Sequence, residues 1–249
     1  VKDSVITPLG LHAGHNNDEL DSTRRASIYR YRNGQYVESN AYGSVAHQLD
    51  DYIMGYSAPI FSPTGGVKIS AHDLATYMMM HMNYGELNGV RIISEESART
   101  MQTPVWMKQE PEEDQYGLCL WEFVDFIDDE KYNVPGNYPI GHEGDAQGLR
   151  SIMIWSPADN WGIVAMTNGY VYNKDKDFPQ TIANAIYKAG IKTQPQYPID
   201  NYRLDLALFH NGKCLDIEVD GERYHRSWNG ELCYRDQLRN RKPPKKCIL

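Results

Sequence analysis

Cysteine is scarce in this sequence of 249 residues, and long apolar runs are absent. The four cysteines show no Cys-x-x-Cys spacing, which argues against a zinc site or a disulfide framework and indicates free thiols. No stretch approaches the roughly 20 apolar residues that a membrane-spanning helix needs. The first residues are too polar for a secretory signal peptide. The sequence therefore predicts no membrane span, and because it begins with Val1 we expect a processed or truncated product.

Acidic residues outnumber basic ones, giving a formal net charge of −8, while a hydrophobic fraction of 41% predicts a real core. The charge is unevenly placed. Of the 25 Lys and Arg and the 33 Asp and Glu, residues 198–249 carry 10 and 8, which leaves 15 and 25 for the rest. The acidic part argues against general nucleic-acid binding, whereas the mildly basic tail leaves DNA open as a partner.

Residue patterns predict a mixture of helices and strands. Ser70 is a typical N-cap, and apolar residues, with Met78, Met79 and Met80 as core filling, then recur at helical spacing until Gly85. A second cap at Ser94 predicts another helix. The other predicted elements are a hairpin turn at Asn33-Gly34, strands over Gln115–Trp121, Ser151–Trp155 and Trp161–Thr167, and a helix over Gln180–Ala189.

A set of short motifs appears along the first two-thirds of the chain, and its order and spacing are more specific than any one member. The motifs are Thr7-Pro8-Leu9-Gly10-Leu11, the Pro63-Thr64-Gly65-Gly66 turn with the helix after it, Tyr116-Gly117-Leu118, His142-x-Gly144 and Val164–Gly169. On these motifs, residues 1–172 resemble the C-terminal part of the serine β-lactamase, penicillin-binding-protein and esterase family.

The resemblance implies that His142-x-Gly144 opens a strand at one wall of an acyl-binding site. His142 would hold the substrate, Gly144 would leave space for it, and Asp145 would supply a backbone N–H to the oxyanion. The alternative for His142 is a hydrogen-bonded structural residue. The family's nucleophile lies in a Ser-x-x-Lys motif, and none occurs in the sequence. We therefore expect a hydrolase remnant that is inactive alone.

One further match to the family is interpreted as accidental. Tyr31-Arg32-Asn33 fits the family's Tyr-x-Asn motif, but it follows Pro8-Leu9-Gly10, whereas the family's motif precedes that segment. The match also adjoins a turn glycine. The sequence therefore predicts a hairpin tip at this position.

The tail contains a hairpin whose register follows from its turn. Asn211-Gly212 is the favoured two-residue type I′ turn, so His210 pairs with Lys213, and counting outward places Asp205 opposite Glu218. Alternation then separates an aliphatic face from an acidic one. Opposed carboxylates repel each other unless one is protonated, an arginine neutralises them or a divalent cation binds. Oxygen ligands of this kind favour Mg²⁺ or Mn²⁺.

Residues 186–242 resemble the very-short-patch-repair-like branch of the PD-(D/E)xK endonucleases. The matching segments are Gln194–Pro198, Leu204-Asp205-Leu206, Ile217–Gly221 and a helix over Glu231–Lys242. The resemblance implies Asp205 and Glu218 as metal ligands, Asp220 in place of the common lysine, and His225 as a proton carrier or phosphate contact.

Two departures from that family lower the expected activity of the tail. The preceding helix lacks the usual acidic residue, and the closing strands that should follow Arg241 are missing from the sequence. We therefore expect slow or absent cleavage even with metal bound. The alternative is a solvated acidic face that arginines balance.

The sequence thus predicts a mixed α/β (α+β) fold in two parts. Residues 1–175 would form a partial β-lactamase-like antiparallel sheet with flanking helices, and residues 176–249 a small restriction-endonuclease-like α/β segment. No cofactor is expected for the hydrolase part, whereas the tail is expected to bind Mg²⁺ or Mn²⁺. The first part implies a periplasmic or extracytoplasmic location and the tail a cytoplasmic one, so the location stays open.

Three functions are consistent with these observations. The first is a hydrolase remnant whose ligand is an acyl or peptide-like small molecule. The second is a metal-dependent nuclease in the tail, with DNA as its partner. The third is a non-enzymatic binding or assembly module that self-associates through exposed sheet edges.

Overall fold

The chain forms two compact units, Val1–Asn184 and Ala185–Leu249. The computed structural model describes residues 1–40, 43–57, 66–105, 115–146, 148–169, 178–188, 192–199, 202–210 and 213–217. No helix among these residues is both long enough and apolar enough to cross a membrane.

Short strands and helices make up the first unit. Its strands are β1 (Ala13–Gly14), β2 (Ile28–Arg32), β3 (Gln35–Ser39), β4 (Lys68–Ile69), β5 (Glu86–Leu87), β6 (Val90–Arg91), β7 (Gln115–Tyr116), β8 (Trp121–Glu122), β9 (Ile140–Ala146), β10 (Leu149–Ser156) and β11 (Trp161–Thr167). Its helices are α1 (Ala46–Leu49), α2 (Ala71–Met82), α3 (Glu95–Gln102) and α4 (Phe178–Lys188), the last of which begins in this unit.

An antiparallel sheet of five strands, in the order β11-β10-β9-β8-β7, forms the centre of the first unit. Helix α2 packs on one face, where Met78, Met153 and Trp155 are buried together. Ile152 and Ile154 alternate with the latter two on β10, so they point to the opposite face, and both are fully buried. This half of β10 is therefore covered on both faces.

Side chains of helix α4 form hydrogen bonds to the backbone of the loop that follows β8. Gln180 Nε2 donates to the carbonyl of Phe126 at 3.2 Å, and Asn184 Nδ2 donates to the same carbonyl at 2.8 Å. Asn184 Oδ1 accepts from the backbone N–H of Asp128 at 2.6 Å. These amide side chains satisfy backbone groups that no regular strand or helix pairs.

The two predicted helix caps are confirmed. The Ser70 and Ser94 hydroxyls cap α2 and α3, each accepting a hydrogen bond of 3.0 Å from the backbone N–H three residues later. Of the three methionines on α2, Met78 and Met80 are buried as predicted. Met79 is 37% exposed, so its prediction as core filling is wrong.

The segment Gln115–Trp121 is not the single strand that its composition predicts. It forms the hairpin of β7 and β8, in which Tyr116 lies opposite Trp121. The backbone N–H of Gly117 donates to the carbonyl of Leu120 at 2.7 Å, which closes the turn. The sequence hides this turn because it lacks the Asn-Gly or Asp-Gly pair that usually marks a hairpin.

The other predicted elements of the first unit are present. Strands β10 and β11 cover the two predicted strands, and α4 starts two residues before the predicted helix and matches it as far as Lys188, the last described residue there. Strands β2 and β3 form the predicted hairpin, with Asn33 and Gly34 at φ +49° and +82°. Tyr31-Arg32-Asn33 is therefore a hairpin tip, as predicted.

The described residues of the second unit form a three-stranded antiparallel sheet in the order β12-β13-β14. These strands are β12 (Lys192–Ile199), β13 (Tyr202–His210) and β14 (Lys213–Ile217). The pairs His210–Lys213 and Leu206–Ile217 confirm the predicted register over this stretch. Outside the described residues lie Glu218, Asp220, His225 and the predicted helix over Glu231–Lys242. The endonuclease-like fold therefore stays a prediction.

Candidate functional site

Strand β9 is paired on both sides only where it begins. Strand β10 pairs with β9 along its whole length, from Ile140 to Ala146. On the other side, β8 pairs with Ile140 and Gly141 alone. Beyond Gly141 no strand of the described chain pairs with this side of β9. We call His142–Ala146 the open edge.

The backbone of the open edge directs its polar groups alternately to the two sides of β9. The Phe123 N–H donates to the carbonyl of Pro139 at 2.9 Å, which directs Pro139 toward the β8 side. Arg150 on β10 lies opposite Asp145, and its backbone N–H donates to Thr167 Oγ1 on β11. This N–H therefore points away from β9. Both observations place the backbone N–H and C=O of Glu143 and Asp145 on the open side.

His142 is the first residue of the open edge, and its side chain is exposed. Its Nδ1 donates a hydrogen bond to the carbonyl of Glu143, which leaves Nε2 as the ring nitrogen that can bond to a ligand. The ring also packs against Trp121, with centroids 5.4 Å apart. The structural and the ligand-binding interpretations of His142 are therefore compatible, because they use different nitrogens.

Gly144 lies two residues farther along the same face, opposite Ser151 on β10. A Cβ atom built on Gly144 would lie 2.4 Å from Ser151 Oγ. In this structure the space that a side chain would take is occupied by the Ser151 hydroxyl. The space that the resemblance assigns to a substrate beside Gly144 is therefore also used by the Ser151 hydroxyl.

Asp145 turns its carboxylate to the face opposite His142. There it contacts the guanidinium of Arg150, with Nη1 and Oδ2 3.3 Å apart, and the carboxylate is half exposed. An exposed pair of this kind contributes little to stability. The backbone N–H of Asp145, the group that the resemblance implies, lies on the side of β9 away from β10.

Aromatic side chains surround the start of the open edge. The Trp121 ring contacts Tyr116 and Phe123, with centroids 5.1 and 5.7 Å away. Its Nε1 is buried without a hydrogen-bond partner in the described part of the chain. Burial raises the pKa of the neighbouring Glu122 carboxyl. The surroundings of β9 at this end are therefore mainly aromatic and partly shielded from water.

The β2–β3 hairpin lies against the far end of β9 and β10. The Tyr29 N–H donates to the carbonyl of Asn168 at 2.7 Å. Gly148, in the turn between β9 and β10, has φ +104°, and a Cβ there would lie 2.1 Å from the Tyr29 carbonyl oxygen. Only glycine fits this close approach. The hairpin thereby sets one boundary of the site.

Sequence reasoning missed two residues of this site, Trp121 and Ser151. Trp121 belongs to a segment that the sequence predicts as one continuous strand. Ser151 begins a predicted strand, but nothing marked it as a site residue. A signal was present, since a two-residue turn that pairs Ala146 with Leu149 also places Gly144 opposite Ser151.

The predicted tail site is described only by the backbone of Asp205 within β13. Its other members, Glu218, Asp220 and His225, lie outside the described residues. Among the side chains that are described, no group of three or more His, Cys, Asp or Glu residues is placed to hold a metal ion. The metal site stays a prediction.

Comparison with solved structures shows what this fold resembles. An octameric penicillin-binding protein homologue from Pyrococcus abyssi is 20% identical, with a TM-score of 0.51 over 76% of this chain and 36% of that one. A penicillin binding protein from Bacillus halodurans is 17% identical, with a TM-score of 0.51 over 76% and 48%. A class C beta-lactamase variant is 18% identical, with a TM-score of 0.50 over 76% and 50%. The chain spans half or less of these proteins' lengths, and at such identities the likeness concerns the fold.

Sequence comparison gives the family. No protein of curated function matches the chain significantly. The Beta-lactamase family profile, however, matches residues 1–186, which is well over half of the chain and includes the whole of the open edge. This chain therefore belongs to the beta-lactamase family.

Proposed function

We propose that the first unit is the substrate-side wall of a serine hydrolase of the β-lactamase type. It binds an acyl compound, such as a β-lactam, a peptide or an ester, along the open edge. The observation that carries the proposal is the position of the exposed His142 and of Gly144 on one face of β9, within the residues that match the family profile. A ligand lying there meets the exposed His142 ring on one face of β9.

Ligand binding and bond cleavage need different groups. A serine hydroxyl attacks a carbonyl efficiently only when a neighbouring base takes its proton, and the family's base is the lysine of Ser-x-x-Lys. No such motif occurs in these 249 residues. A backbone N–H can still stabilise charge on a carbonyl oxygen, but that charge develops only during attack. We therefore expect this chain to bind acyl ligands reversibly and to form no acyl-enzyme.

Calorimetric titration with benzylpenicillin tests the binding part of this proposal. Replacing a hydrogen-bonding side chain costs about 0.5–1.5 kcal/mol, so His142→Ala should weaken binding roughly 2- to 12-fold. His47→Ala is the matched control, because His47 is also exposed but lies on α1. Both variants should unfold thermally like the wild type. Equal affinity of His142→Ala and wild type, or no binding by the wild type at millimolar ligand, would contradict the proposal.

A second candidate function concerns the tail, for which we propose binding of Mg²⁺ or Mn²⁺ near Asp205 and Glu218. The support is the predicted hairpin register, which holds from His210–Lys213 to Leu206–Ile217, the pair before these carboxylates. Replacing Glu218 by Gln removes a ligand oxygen and half of the repulsion that favours a cation. Titration with either metal should show binding by the wild type and a marked loss in Glu218→Gln. If the wild type binds neither metal at millimolar concentration, the acidic face is only a solvated surface.

A further inference from the structure

Helix α2 covers only half of the sheet face that carries His142. Met153 and Trp155 on β10 are buried beneath the helix. Ser151 precedes Met153 by two residues on the same face and is partly exposed, as is Met166, its partner on β11. The residues of this face that α2 does not cover, among them Ser151, are therefore partly exposed and lie beside the open edge.

The Ser151 hydroxyl has no hydrogen-bond partner among the residues that the structure describes. A hydroxyl offers one donor and two acceptor positions, so its bonding capacity is left for water or a ligand. The hydroxyl leans over β9, since Oγ lies 2.4 Å from the point where a Gly144 Cβ would be. It therefore projects toward the strand along which the proposed ligand lies.

We propose that Ser151 is a ligand-binding residue of the open edge, and that the missing side chain of Gly144 is what lets its hydroxyl reach the ligand. This inference rests on the proposed function. Ser151 is the diagonal neighbour of His142 across β9 and β10, a spacing of about 7–8 Å between strands. One ligand can contact both residues only if it carries two separated polar groups. The site therefore fits an acyl compound with an amide beside its reactive carbonyl, as in a peptide or an acylated β-lactam.

A double-mutant cycle with benzylpenicillin tests this inference by calorimetry. Ser151→Ala removes the hydroxyl and should weaken binding roughly 2- to 12-fold. Gly144→Ala displaces the hydroxyl and should weaken binding by a similar factor. In the double variant the Gly144 change should add little, because no hydroxyl is left to displace. Ser22→Ala, an exposed serine outside the sheet, should bind like the wild type.

Each alternative outcome has a distinct meaning. Wild-type affinity in Ser151→Ala overturns the inference while leaving the proposed function in place. Fully additive losses overturn it as well, because Gly144 would then clear space for the ligand and not for the hydroxyl. Absence of binding by the wild type removes the proposed function and the inference with it. A covalent adduct on Ser151 in intact-mass spectrometry would overturn the reversible role assigned here. Thermal unfolding of every variant checks that lost binding is not lost folding.

Discussion

At the scale of single residues, glycines determine how closely β9 approaches its neighbours. A Cβ on Gly141 would lie 1.9 Å from the carbonyl oxygen of Met153, so β9 and β10 could not keep their present distance with any other residue there. Gly144 plays the same part for a hydroxyl instead of a backbone atom. Both glycines flank His142, whose ring is held by the Glu143 carbonyl and Trp121. The close packing of β9 around His142 therefore depends on the absence of a side chain at Gly141 and Gly144.

A buried histidine on α2 gives a prediction for stability against pH. His81 is 2% exposed and packs against Tyr77 and Trp155, with ring centroids 4.7 and 6.1 Å away. Burial lowers the pKa of His81 from 6.5 to about 4. Below pH 6.5 His81 is protonated in the unfolded chain but stays neutral in the folded chain. The free energy of unfolding therefore falls with pH until the pH reaches the folded pKa of His81. The loss due to this group is about 2 kcal/mol at pH 5 relative to neutral pH.

Urea unfolding at both pH values measures this loss. His81→Phe keeps a ring between Tyr77 and Trp155 but cannot be protonated, so its free energy of unfolding should fall less between the two pH values. The control His47→Ala should keep the full loss, because His47 is exposed. An unchanged pH dependence in His81→Phe would show that other groups account for the acid sensitivity.

At the scale of elements, the β2–β3 hairpin and the β9–β10 turn form one contact that bounds the site. Gly148→Ala should disrupt it, because the new Cβ would meet the Tyr29 carbonyl oxygen at 2.1 Å in addition to the strain of φ +104°. Gly136→Ala is the matched control, since Gly136 has φ +87° but no atom lies within 4 Å of the point where its Cβ would be. The control should cost about 1–2 kcal/mol of unfolding free energy.

The Gly148→Ala variant should lose clearly more than the control, and its β2–β3 amides should exchange hydrogen faster. Thermal unfolding and hydrogen exchange measure these two effects. Equal losses in both variants would mean that the hairpin does not depend on the close approach at Gly148.

Elements with strong local signals could be predicted from the sequence, and those fixed by distant partners could not. Ser70 and Ser94 bond to backbone only three residues away, so their caps are visible in the sequence. The reversal inside Gln115–Trp121 carries no turn signature of its own. In the candidate site, His142 could be predicted from its motif. Ser151 could not, because its position matters only through its pairing with Gly144 on the neighbouring strand.

At the scale of the whole molecule, the evidence for function is stronger in the first unit than in the second. The first unit carries the family's profile and the open edge. In the second, the described backbone is a three-stranded antiparallel sheet, and the proposed metal ligands depend on the sequence. The proposed function therefore belongs to the first unit, which we expect to bind acyl compounds reversibly along β9 without becoming acylated.

Titration of the isotope-labelled chain with benzylpenicillin, followed by backbone amide NMR, tests that claim most directly. The account predicts progressive shifts of the His142, Gly144, Asp145 and Ser151 amides, and their return to the starting positions when the ligand is dialysed away. Shifts confined to other parts of the chain would contradict the assignment of the open edge. A new set of resonances that persists after dialysis would contradict reversible binding, because it would report a covalent acyl-enzyme.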